Sequence, residues 1–190
     1  MKLYLVRHGQ SAANLTHTHS GWSQVPLTEQ GERDAARAGE YLRTLHFDRV
    51  YSSDLLRAVQ TARIALPKRE PVQLPVLRER NVGILAGRLF TDCMEEYGEP
   101  YLQARASLDF TAYGGENHEM HKARALEFLK MLEADPAESV VAFTHAHFIL
   151  CCMETVLKTD ISHHLLNCAN GSVTIFSFNN NCWRLDSYAR

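Results

Sequence analysis

Leu3-Tyr4-Leu5-Val6, followed at once by Arg7-His8-Gly9, is the stretch that decides the fold. An apolar run of this length predicts a buried strand. A strand that stops at a cation, an imidazole and a glycine leaves a reactive group at the sheet edge. Open α/β sheets bind their ligands at that carboxyl edge. A turn that happens to contain Arg and His would read the same way, but the pattern recurs twice. Arg49-Val50-Tyr51 predicts a short strand, and Ser52, Ser53 and Asp54 offer N-caps for a helix through Val59, Ala62 and Ile64. Arg57 then falls in or near the first helical turn, where the macrodipole disfavours a cation unless an anion sits there too. Ser139-Val140-Val141-Ala142-Phe143-Thr144-His145 predicts a third strand, before a buried helix through Phe148 to Met153. Three strand ends therefore bring Arg7, His8, Arg57 and His145 to one edge of one sheet. Two guanidiniums and two imidazoles suit a dianionic phosphate, which Arg can bind bidentately and helix N-terminal amides can also bind.

Helical patterns alternate with these strands. Ala35, Ala38, Leu42 and Leu45 share one face, and so do Ala125, Phe128, Leu129 and Leu132. Gln73 to Val76 suggests a further strand. Val173 to Phe178, the turn Asn179-Asn180-Asn181, and Cys182 to Tyr188 predict a hairpin. The expected fold class is α/β: a three-layer arrangement of a mostly parallel central sheet with helices on both faces, one antiparallel edge strand, and a small helical cap. No repeat, low-complexity tract or linker divides the chain. We expect one domain over residues 1–190, with the weakly patterned stretch 88–113 as a cap insertion over the site.

Bulk properties suit one enzyme domain. A net charge of −2 argues against nucleic-acid and membrane-surface binding. No signal-peptide pattern and no apolar run of bilayer length is present. Cys93, Cys151, Cys152, Cys168 and Cys182 are odd in number and have no metal-site spacing, as expected for reduced thiols in the cytoplasm. The histidine pairs His17/His19, His118/His121, His145/His147 and His163/His164 lack the zinc-protease spacing. A metal is not expected, nor is any cofactor. A metal-dependent hydrolase is the alternative that chelator sensitivity would reveal.

Several ordered blocks carry a resemblance. They are Arg7-His8-Gly9 with Asn14, Ser20-Gly21-Trp22, Pro26-Leu27-Thr28-Glu29-Gln30-Gly31, Tyr51-Ser52-Ser53-Asp54-Leu55 with Arg57 and Thr61-Ala62, Leu77-Arg78-Glu79 with Gly83, Gly114-Gly115-Glu116, His145, and Gly171-Ser172-Val173-Thr174. Over nearly its whole length the chain resembles the histidine phosphatase superfamily, in its phosphoglycerate-mutase-like branch. The resemblance implies that His8 is the nucleophile, forming a phosphohistidine, and that Glu79 donates a proton to the leaving oxygen. It also implies that Arg7, Arg57 and His145 surround the phosphoryl oxygens, with Asn14, Ser20, Gly21 and Ala146 as further phosphate-binding positions. Ala146 stands where the family usually has glycine, and would be strained if the backbone there needed a positive φ. His147 is not usual in the family, and we read it as a packed or helix-N-terminal residue. Ile84-Leu85-Ala86 replaces the family's common Trp-Glu after the Gly83 position and should reshape the pocket wall.

Between Arg88 and Tyr113 only Arg88 and Arg105 are basic, against Asp92, Glu95, Glu96, Glu99 and Asp109. A mutase or sugar bisphosphatase needs cations for a second anionic group, and mutases of this branch tend to be longer. The expectation is therefore a phosphatase for a small phosphorylated metabolite whose leaving part is neutral, aromatic or cationic. Tyr97, Tyr101, Phe110 and Tyr113 are candidates to stack on it. A phosphoglycerate mutase and a catalytically silent phosphate-binding protein remain the alternatives, and a homodimer is left open.

Overall fold

In the computed structural model, residues 1–163 and 165–190 are described. His164, one half of a histidine pair noted above, lies outside them. Six strands form one sheet: β1 (Lys2–Arg7), β2 (Arg49–Ser52), β3 (Val72–Gln73), β4 (Ser139–Thr144), β5 (Val173–Asn179) and β6 (Cys182–Ser187), in the order β3-β2-β4-β1-β5-β6. The first four are parallel, β5 is antiparallel to β1, and β6 is antiparallel to β5. The antiparallel strand thus lies one place inside the sheet, and β6 closes the edge. Asn180 and Asn181 make the hairpin turn at φ of 51° and 57°, a left-handed region that asparagine tolerates.

Side-chain alternation in β1 divides the core. Leu3 and Leu5 face a cluster with α6 (His118–Glu133) and α7 (Ala146–Leu157), while Tyr4 and Val6 face α2 (Glu29–Leu42) and α3 (Leu56–Ala65). Each fully buried Leu or Val here stabilises the fold by about 1.5–3 kcal/mol. The sheet is therefore the middle of three layers, as expected.

Local details differ from the sequence expectation. α2 is capped by Thr28 Oγ1, which accepts from Gly31 N at 3.1 Å, and it stops at Leu42, before Leu45. α3 starts from Leu55 without a side-chain cap. Of the expected caps, Ser53 Oγ accepts from Leu55 N, which precedes α3, and Asp54 is taken by Arg78. The strand expected over Gln73 to Val76 is only Val72 and Gln73, because Pro75, lacking an N–H for the ladder, opens a 3-10 turn through Leu77.

The short helix α1 (Ala12–Leu15) follows the His8 loop. Residues 88–113 contain α4 (Phe90–Tyr97), α5 (Glu99–Ser107) and a 3-10 turn at Thr111–Tyr113. They share a separate apolar cluster of Val82, Leu85, Cys93, Tyr101, Ala104, Phe110 and Tyr113. No helix among the described residues is long and apolar enough to cross a membrane.

Candidate active site

Parallel pairing of β1 with β4 sets Arg7 opposite Thr144, and His8 N donates to Thr144 O at 3.0 Å. The residues that follow, His8 and His145, consequently meet with ring centroids 5.1 Å apart. Both rings are buried. His8 Nδ1 lies 2.7 Å from Gly9 O. A carbonyl only accepts, so Nδ1 carries the ring proton and Nε2 keeps its lone pair. Burial, then the charges of Arg57 and Arg7, hold His8 well below the ordinary histidine pKa, so the ring is neutral at pH 7. Burial first, then Arg57 and His8, likewise hold His145 well below the ordinary value. His145 Nε2 is 2.9 Å from Ser53 Oγ, and its buried Nδ1 has no partner. The His8 loop rests on α2 so closely that a Cβ on Gly9 would stand 2.1 Å from Gly31 O.

Within the protein both guanidiniums donate to backbone carbonyls. Arg57, fully buried, donates through Nη2 to Gly21 O at 2.9 Å and through Nη1 to Ser23 O at 3.1 Å. It holds the Ser20–Ser23 loop against the sheet edge and leaves Nε unpartnered. Burial pushes Arg57 down to about 10, still a cation at neutral pH. Arg7 donates to Cys168 O through Nη1, and its buried Nε is also unpartnered. Asn14 closes a capping box with Ser11 at the start of α1, and its Oδ1 accepts from Ser11 N at 3.0 Å. Gly21 turns at φ +43°, where a Cβ would meet Val82 Cγ2 at 2.6 Å. Ala146 is the first residue of α7 and has no positive φ, so the anticipated strain is absent.

Glu79 follows the Pro75–Leu77 turn on a clamped loop. Arg124 donates to the carbonyls of Val76, Arg78 and Glu79 at 2.8–3.1 Å while paired with Glu116 at 2.8 Å, and Trp22 Nε1 donates to Glu79 O at 2.8 Å. Glu79 Oε1 accepts from Arg80 N at 2.9 Å, and Oε2 lies 3.3 Å from His147 Nδ1. Burial alone would raise the Glu79 pKa. The neighbouring His147, by charge and hydrogen bond, more than reverses this and holds the carboxyl well below its usual range. His147 is in the first turn of α7, as read from sequence, but its contact with Glu79 was not foreseen.

Most of these groups border one hollow of about 250 Å³. Arg7, His8, Asn14, Ser20, Gly21, Glu79, Ala146 and His147 line its inner part. Arg57 and His145, both fully buried, are not part of that lining. Thr18, His19, Phe90, Arg105, Leu108 and Phe110 make the outer wall, with Arg80 beside Glu79. Of the four aromatic candidates only Phe110 reaches the hollow. Tyr101 is fully buried and bonded to His19 Nε2 at 2.6 Å, Tyr113 is in the core of residues 88–113, and Tyr97 bonds Arg88 at 2.9 Å. Arg105 lies over Phe90 at 4.9 Å and Tyr101 at 5.7 Å. Burial, then Arg105, bring His19 down to about 4, so that ring is neutral. Arg80 and Arg105 both stand on the walls of the hollow, a placement the count of charges along the chain could not show. Arg80, Arg105 and His19 carried no spacing signal in the sequence. Chemically, the hollow offers a neutral imidazole, buried unpartnered donors for an anion, and a carboxylate beside them.

Comparison with known proteins agrees with this geometry. The family model described as histidine phosphatase superfamily (branch 1) matches residues 3–190. A 2,3-bisphosphoglycerate-dependent phosphoglycerate mutase of Cytophaga hutchinsonii is 34% identical over 188 residues, covering 93% of this chain and 87% of the mutase. The mutase of the same description from Bifidobacterium longum (strain DJO10A) is 48% identical over 105 residues, or 52% of this chain and 43% of the mutase. That match spans less than half the length of the curated relative. Among solved structures, the alpha-ribazole phosphatase from Shigella flexneri superposes with a TM-score of 0.89 at 25% identity, covering 100% of this chain and 96% of that one.

Proposed function

The chain belongs to the histidine phosphatase superfamily, branch 1, and from that membership we propose that it is a metal-independent phosphatase acting on a small phosphate monoester. The observation that carries this reading is the neutral His8, with its Nε2 lone pair free, beside buried and unpartnered nitrogens of Arg7, Arg57 and His145. His8 Nε2 attacks phosphorus as the ester P–O bond breaks, giving a phosphohistidine. The unpartnered donors, with the Asn14 amide and the Ala146 amide at the start of α7, stabilise the charge that collects on the phosphoryl oxygens. The leaving oxygen takes a proton through Glu79. Water then attacks phosphorus, the P–N bond breaks with its electron pair returning to His8 Nε2, and Glu79 takes the water's proton and passes it to the departing phosphate, which leaves as the monoanion.

Glu79 is ionised in the free site, so the proton has to arrive with the substrate, as the monoanion of a phosphate ester with a second pKa of about 6. Turnover should therefore be greatest on the acidic side of neutrality and fall above about pH 6–7. Residues 88–113 serve in this reading as the cap that sets substrate preference, and Arg80 and Arg105 favour a neutral or anionic leaving part. Those two cations also favour a second reading, phosphoglycerate mutase, because they could hold a second anionic group.

The experiment is direct. p-Nitrophenyl phosphate should be hydrolysed with an acid-labile phosphoenzyme, and His8→Ala should bring both below detection. A wild-type protein that binds phosphate without turnover at any pH would be a silent binding protein. Isomerisation of 3-phosphoglycerate with a bisphosphoglycerate primer, faster than hydrolysis, would make it a mutase.

A further inference from the structure

Next to the hollow, but with no residue in its lining, one group of metal-ligating side chains converges among the described residues. His118 at the start of α6, Cys151 and Glu154 on α7, and His163 just beyond α7 each place a donor atom within 4.8 Å of all the others. Cys151 and Glu154 are three residues apart, which puts both on one face of α7. Cys151, Glu154 and His163 are at most 7% exposed. A carboxylate buried to this degree costs several kcal/mol unless it is compensated. Glu154 accepts from His118 Nε2 at 2.8 Å, from His163 Nε2 at 3.1 Å and from Ile161 N at 3.1 Å, with Lys122 Nζ at 3.9 Å. His163 Nδ1 is buried with no partner. A cavity of about 250 Å³, bordered by His118, Glu154, Asp160, Ser162 and His163, opens beside the group and gives an ion a way in.

We infer that His118, Cys151, Glu154 and His163 bind a single zinc-class divalent ion. Two imidazoles, a thiolate and a carboxylate are a borderline-soft set of four donors, suited to Zn2+ and unsuited to Mg2+ or Ca2+. Bonds of about 2.0–2.3 Å would draw the donors to roughly 3.3–3.7 Å from one another, a contraction of about 1 Å from the widest present separation. The protons balance simply. Each imidazole coordinates through Nε2 and carries its proton on Nδ1 instead, and the Cys151 thiol loses its proton to solvent. Coordination requires the thiolate, so binding should strengthen as pH rises. One contact is lost on loading: Arg80 Nη2 now donates to His118 Nδ1 at 3.2 Å, and an N–H there cannot accept. Arg80 also borders the His8 hollow, although no ligand is shared between the two sites.

The test uses the full chain, reduced and stripped with a chelator, then titrated with Co2+ as a spectroscopic stand-in and with Zn2+ by calorimetry. The expected result is one ion per chain, tetrahedral visible bands, a near-ultraviolet thiolate-to-cobalt band, displacement by Zn2+ and net release of one proton. Cys151→Ser should lose the thiolate band. His163→Asn, outside any helix or strand, should weaken binding at least about 100-fold and keeps the test open if the buried Cys151 variant does not fold. No heat and no cobalt bands at equimolar metal, or bands unchanged in either folded variant, would overturn the inference.

Discussion

His8 shows how much chemistry one backbone contact can set. The Gly9 carbonyl fixes the tautomer, and two guanidiniums with burial keep the ring uncharged. Glu79 is the complementary case, a carboxylate whose surroundings remove the proton it must later supply. Glu79→Gln should therefore slow hydrolysis of alkyl phosphates by about 10²–10⁴-fold. p-Nitrophenyl phosphate should lose far less, because nitrophenolate leaves without a proton. Equal losses on both substrates would make Glu79 a structural residue only. Arg105→Ala bears on the outer wall. It should lower kcat/KM by about tenfold or more for esters with an anionic leaving part, and leave p-nitrophenyl phosphate nearly unchanged. A substrate panel ranked by kcat/KM reads both.

At the scale of elements, the loop carrying Glu79 has no regular hydrogen-bond ladder and is held by Arg124 on α6. That guanidinium spans three carbonyls and the Glu116 carboxylate, and both charged groups are largely buried. Arg124→Ala leaves Glu116 and the carbonyls without their donor. It should cost about 3–5 kcal/mol and lower Tm by at least about 6 °C. Because the clamp also aims Glu79, kcat should drop while phosphate affinity changes little. Calorimetry and phosphate titration separate the two effects. The Arg57 fork is the same device one loop away, where it ties the Gly21 loop to the start of α3.

At the scale of the whole molecule, stability should depend steeply on pH. His8, His121 and His145 are all held well below the histidine pKa, with burial the largest cause, and His163 is lowered to about 4, again chiefly by burial. In the unfolded chain these rings take up protons below about pH 6.5, whereas in the folded protein they do not. The unfolded state therefore gains stability as pH falls through that window, by up to about 1.4 kcal/mol per pH unit for each fully buried ring. Tm should be level above about pH 7 and fall progressively below 6.5. A Tm unchanged between pH 7 and 5 would show that these imidazoles are charged in the fold. The sequence by itself determined the parallel sheet and the order of its reactive edge, because buried strands need uninterrupted apolar runs and Arg7, His8 and His145 stand where those runs stop. It also marked Arg57 as a cation out of place. It could not show that Arg57 spends its fork on backbone carbonyls, that His147 meets Glu79, or that Arg105 reaches the hollow while Arg88 does not. Nor could it assemble His118, Cys151, Glu154 and His163. Such contacts depend on how helices separated along the chain pack against one sheet, and no local periodicity encodes that distance.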